Sequence, residues 1–131
     1  MIDKSHEIFT LVATKLRDEI NPIKVIGESV AIPTEFPTVT IDEISNVPVH
    51  DDSRFMNKYA QVRYRVQVFT TGKSKRTDAR QIISIIDEVM QEFNFRCKSM
   101  STLPEVYKSN VYQISSSYEA IIKEDGTIYR N

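Results

Sequence analysis

Ala60-Gln61-Val62-Arg63-Tyr64-Arg65-Val66-Gln67-Val68 alternates without a break. Ala60, Val62, Tyr64, Val66 and Val68 fall on one side of a period of two, and Gln61, Arg63, Arg65 and Gln67 on the other. That pattern predicts a strand with one buried face. Thr71-Gly72-Lys73 interrupts it, and the period then changes. Ala79, Ile82, Ile83, Ile86, Val89, Met90 and Phe93 follow at helical spacing. Strand and helix each leave one apolar side to cover, and each is the other's nearest candidate in sequence.

The same reading extends in both directions. Towards the N-terminus, Ile8, Phe9, Val12, Ala13, Leu16 and Ile20 make the apolar stripe of a first helix over 5–20, with Asp3 or Ser5 able to cap it. Glu7 suits the positive end of its dipole, and Asn21-Pro22 ends it. A strand is expected over 23–31 with Gly27 inside it as a bulge or close approach. Pro33 and Pro37 bracket a kinked connection, and Thr38-Val39-Thr40-Ile41 with Ile44 reads as the next strand. Residues 45–58 and 99–109 lack periodicity and are expected to be long loops.

Towards the C-terminus, 95–98 reads as a short strand with Phe95 and Cys97 inward. A long strand over 111–122 puts Tyr112, Ile114, Tyr118, Ala120 and Ile122 on one face. Gln113, Ser115, Ser117 and Glu119 take the other. Asp125-Gly126 is a hairpin turn signal, with Thr127-Ile128-Tyr129 returning as a last strand. The order α-β-β-β-α-β-β-β predicts one α+β domain over 1–131, an antiparallel sheet with two helices packed on one face. The opposite face would then carry Arg63, Arg65, Gln67, Gln113, Ser115 and Glu119, as solvent surface or as the surface another subunit uses.

The totals narrow the function classes. A chain of 131 residues can bury a core without disulfides or metals. Its 17 basic and 18 acidic residues give a formal charge of −1, which argues against a chain-wide footprint for nucleic acid. Cys97 is the one cysteine, so no internal disulfide forms. No apolar run approaches membrane-spanning length. A soluble intracellular protein is expected.

Thr71-Gly72-Lys73-Ser74 sits between strand and helix as a phosphate-binding loop does, but Gln67 stands where that loop needs its first glycine. Lys73, Lys75, Arg76 and Arg80 cluster at the helix start and could touch an anion or DNA phosphate. A solvated turn accounts for them equally and is favoured by the neutral overall charge. His50-Asp51-Asp52 offers three ligand types in a row, yet consecutive residues rarely converge on one ion. His6 fits a helix surface. Cys97 has no adjacent base to activate it, and Ser115-Ser116-Ser117 lies in a strand without the turn that exposes a nucleophile. The six tyrosines fit strands, and tyrosine also anchors interfaces. No catalytic residue, cofactor or metal site is expected.

The linear order is similar to that of the small tail-terminator and tail-completion proteins of long-tailed bacteriophages and prophages. The likeness rests on the N-terminal helix leading into Glu35-Phe36-Pro37-Thr38-Val39-Thr40-Ile41, then on the strand Val62-Arg63-Tyr64-Arg65-Val66-Gln67-Val68-Phe69. It continues through the basic turn and helix of 73–93 and the ending Tyr112-Gln113-Ile114, Tyr118-Glu119-Ala120 and Asp125-Gly126-Thr127-Ile128-Tyr129-Arg130. The resemblance implies an α+β structural subunit of the virion and not an enzyme. It implies a ring, commonly a hexamer, at the head-proximal end of the tail tube, touching the tail-tube protein and the head–tail connector after assembly in the host cytoplasm. Membrane partners are not implied, and nucleic acid would make at most passing contact. Arg63, Arg65 and Glu119, with His50, Asp51, Asp52 and Arg54 of the 45–58 segment, are the candidate interface residues. The alternatives are a connector or minor capsid protein of the same neck region, a small ligand-binding or catalytic domain built from distant residues, and a nucleic-acid-binding module using 73–80.

Overall fold

A computed structural model of the chain describes residues 4–20, 22–27, 33, 35–49, 59–103, 111–123 and 125–130. Helix α1 (Ser5–Glu19) leads into strands β1 (Lys24–Ile26), β2 (Thr38–Val49) and β3 (Tyr59–Thr71). Helix α2 (Lys75–Glu92) follows, then β4 (Arg96–Leu103), β5 (Val111–Lys123) and β6 (Ile128–Arg130). The expected order of elements is met. The strands form one sheet in the order β1-β2-β3-β5-β4, with β6 pairing β5 beyond the end of β4.

The alternation of β3 does what its period requires. Ala60, Val62, Tyr64, Val66 and Val68 are all buried, while Gln61, Arg63, Arg65 and Gln67 are half-buried on the other face. β5 supplies Tyr112, Ile114, Tyr118, Ala120 and Ile122 to the same core. Both helices cover this face: α1 through Ile8, Val12, Ala13 and Leu16, and α2 through Ala79, Ile82, Ile83, Ile85, Ile86, Val89 and Met90. Burying a side chain of this kind contributes about 1.5–3 kcal/mol, so the facing stripes of sheet and helices hold the two layers together.

Local signals set the ends. Gly72 takes φ +97° where β3 turns into α2, a left-handed conformation that a side chain would disfavour. Asn94 takes φ 63° just after α2, and its side-chain amide donates to the Ile128 carbonyl at 3.1 Å, tying the helix end to β6. The Asp125-Gly126 turn forms as its sequence predicts, with Gly126 at φ +94° and the Thr127 N–H donating to Asp125 Oδ1 at 2.9 Å.

The structure departs from the sequence-based expectation at several places. β1 runs parallel to β2, pairing Lys24, Val25 and Ile26 with Thr38, Val39 and Thr40, so the sheet is mixed. Residues 45–49 are not loop but the end of β2, paired with 59–63 of β3. Residues 99–103 likewise belong to β4, paired with 113–117 of β5. In both strands a register shift masks the period: Ile44 is the extra residue between Glu43 and Ser45, and Lys98 the extra residue between Cys97 and Ser99. A single inserted residue reverses the facing of all that follows, so alternation fails across it. α1 is entered from Lys4, with Ser5 already inside the helix. Asp3 and the remainder of the expected 45–58 and 99–109 loops lie outside the described residues.

Candidate interaction surface

The sheet face opposite the helices is built from four aligned rows. Cross-strand pairing puts Thr40, Gln67, Ser115 and Ser101 in one row, and Asp42, Arg65, Ser117 and Ser99 in the next. Ser45, Arg63, Glu119 and Arg96 form the third, and Val47, Gln61, Ile121 and Tyr129 the fourth. Towards the first row the face is closed, because Thr38, Thr40 and Phe69 are buried there. Its accessible part runs from the second row to the fourth.

Both carboxylates described on this face pair with its cations. Glu119 is 4% exposed although no helix covers it. Gln61 Nε2 and Arg63 Nη2 donate to its Oε1 at 2.7 and 3.0 Å, and Lys98 Nζ reaches its Oε2 at 3.2 Å. A buried carboxylate needs such partners, and the register shift at Lys98 supplies one by turning an extra side chain of β4 towards this face. One row away, Arg65 Nη2 donates to Asp42 Oδ2 at 3.1 Å, and the Ser99 and Ser117 hydroxyls bond at 2.8 Å. The fourth row is apolar in character. Val47 and Tyr129 are among the most exposed large hydrophobic side chains described, and Tyr129 packs tilted against Tyr59 with ring centroids 6.3 Å apart.

The structure therefore brings Arg63, Arg65 and Glu119 onto one surface, as their alternation predicts. Glu119 lies beneath its partners and holds the neighbouring cations in place. His50, Asp51, Asp52 and Arg54 lie outside the described residues. Sequence reasoning missed Lys98, Asp42 and Arg96, whose facing depends on pairing and register. It also missed the apolar fourth row, whose Val47 fell in an expected loop.

The other candidate residues do not converge. Lys73, Arg76 and Arg80 are exposed at the turn and first turns of α2, with Asp78 among them. The Lys75 N–H turns back onto the Gly72 carbonyl, and three residues alone separate β3 from α2, too few to wrap a phosphate. Cys97 is half-buried beside Ser116 at 3.6 Å. Among the described residues no group of three or more His, Cys, Asp or Glu is placed to hold a metal ion, and no helix is long and apolar enough to cross a membrane. The Tyr118 phenol is the one strongly displaced acid among the described groups: burial pushes its pKa up, and Asp87, which accepts its O–H at 3.2 Å, adds to the shift.

No family model matches the sequence, and no curated protein matches it. Solved structures do match. A chain in the virion of a native gene transfer agent particle superposes with a TM-score of 0.57, over 91% of this chain and 91% of that one. The two chains share a fold. At 12% identity the likeness is one of backbone architecture. The gp17 protein of bacteriophage SPP1 also aligns, over 87% of this chain and 88% of its own, at 18% identity and a TM-score of 0.40. That superposition is too loose to add weight. The resemblance read from the sequence is thus met at the level of fold, in an α+β chain with a mixed sheet and two helices on one face.

Proposed function

We propose that the protein is a structural subunit of a phage or prophage virion, a tail terminator or tail-completion protein that closes into a ring of six copies on the head-proximal end of the tail tube. In that place it touches the tail-tube protein on one side and the head–tail connector on the other. It performs no catalysis. The observation that supports this reading is the fold shared over nine-tenths of both chains with a virion component. The open sheet face agrees with it: its carboxylates hold neighbouring cations in position, and an apolar row lies beside them, as in a surface made for protein contact. Arg63 and Arg65 remain the contact candidates on this face. His50, Asp51, Asp52 and Arg54 stand as candidates by sequence.

The test adds the protein to polymerising tail tubes of the same virus and images the tube ends. Rings capping one end, with tube length fixed, are the expected result. Tubes that lengthen unchecked, with no added density at either end over a wide concentration range, would overturn the terminator reading. Density found on the capsid vertex and not on tubes would instead select a connector or minor capsid role.

A further inference from the structure

Two surfaces on opposite sides of the protein complement each other in charge and in apolar relief. Among the described residues, the accessible sheet face carries Arg63, Arg65, Arg96, Lys98 and Lys123 against two carboxylates, Asp42 and Glu119. Its basic third row adjoins the apolar row of Val47, Ile121 and Tyr129. On the helical back, Glu19 of α1 bonds Lys15 at 3.1 Å, and Glu88 and Glu92 of α2 lie close enough to add to the upward shift of its pKa that Glu19 dominates. A shallow hollow lined by Lys15, Glu88, Val89, Gln91 and Glu92 opens between the helices there. Leu11, one turn before Lys15 on the same helix face, is 37% exposed. The back thus sets an acidic zone beside an apolar knob, and the sheet face sets a basic zone beside an apolar strip.

The sheet edges are less suited to joining copies. β1 covers only 38–40 of β2, which leaves the rest of β2 and the outer side of β4 as edges; each carries a register shift, β2 adds Pro48, and β4 adds Lys98. Bulges, proline and lysine on an edge are devices that stop strands from pairing further.

We propose that in the assembled ring the open sheet face of one copy packs on the helical back of the next, with the basic rows of 63–65 and 96–98 over the acidic hollow around Lys15 and the apolar row of Val47 and Tyr129 over Leu11. This rests on the reading of the protein as a ring subunit. The contact is head-to-tail, so its repetition closes a ring without a self-complementary patch. Opposed charges fix the register and suppress face-to-face pairing, which would set cation against cation.

Arg96→Glu and Glu88→Lys test it, because both residues are exposed and unchanged melting curves would show that the fold survives. Lys73→Glu, an equal charge change away from both surfaces, is the control. Ring formation is followed by sedimentation velocity of the whole chain, alone and with polymerised tail tubes of the same virus. Each single variant should weaken assembly about tenfold or more, as reversing one charge of a docked pair does. Lys73→Glu should assemble as the parent does. An equimolar mixture of Arg96→Glu and Glu88→Lys should recover assembly, because an alternating ring pairs opposite charges at every contact. If the parent forms rings and both single variants form them equally well, the docking arrangement is wrong while the ring reading stands. If the variants lose tube capping and the mixture does not recover it, another virion protein occupies the open face. If the parent forms no ring with or without tubes, both readings fall.

Discussion

Glu119→Gln isolates the carboxylate charge that organises the open sheet face. The native side chain receives Gln61 at 2.7 Å and Arg63 at 3.0 Å on one oxygen and Lys98 at 3.2 Å on the other. A glutamine can still accept from Gln61 and Arg63 through its carbonyl oxygen. Its amide nitrogen would then face the Lys98 ammonium, donor against donor. A hydrogen bond to a charged group contributes about 1.5–3 kcal/mol, but that figure needs discounting. The side chains of Arg63 and Lys98 are 43% and 32% exposed, so water rehydrates both when the carboxylate is neutralised, and exposed pairs contribute about 0.2–1 kcal/mol each. The expected cost of Glu119→Gln is therefore about 1–2 kcal/mol. It should be read from urea unfolding as a lower midpoint with an unchanged slope. Lys98→Met, alone and combined with Glu119→Gln, completes a double-mutant cycle. The combined cost should be smaller than the sum, because the second change removes the cation that the first left uncompensated. A midpoint for Glu119→Gln that matches the parent, or strictly additive costs, would refute the account of Glu119 as the anchor of this cluster.

Val66 is fully buried between Ile41 and Ser116, so Val66→Asp should cost about 4 kcal/mol or more, a large part of a domain's stability; a melting temperature within a few degrees of the parent would show that this face is not buried. Arg65→Ser on the opposite face should cost about 1 kcal/mol or less. Burial holds the Tyr118 phenol neutral beyond the ordinary value of 10.0, so above that pH the unfolded chain releases a proton the folded chain keeps, and stability falls as pH rises. Tyr118→Phe should flatten that alkaline fall at the cost of the hydrogen bond to Asp87, about 0.5–1.5 kcal/mol; an unchanged alkaline slope in the variant would assign the effect to another group.

The sequence by itself determined the elements whose signal is local. β3, α2 and β5 declare themselves through uninterrupted periods of two and 3.6, and Gly72 and Asp125-Gly126 mark turns whose dihedral angles few other residues adopt readily. Because β3 and β5 alternate cleanly, the sequence also told which residues share the open face, so Arg63, Arg65 and Glu119 were found together. The tertiary structure decided what depends on partners far along the chain. β1 joins β2 in parallel, a pairing of three residues that leaves no pattern of its own. β2 and β4 continue past Ile44 and Lys98, where one extra residue reverses the phase and makes strand look like loop. Tertiary pairing likewise decided that Glu119 is buried and not an exposed contact, because Lys98 and Arg63 approach it from neighbouring strands on either side of β5. Periodicity records which way a side chain faces along its own strand; register across strands, set by the bulges and the packed helices, determines which side chains it meets.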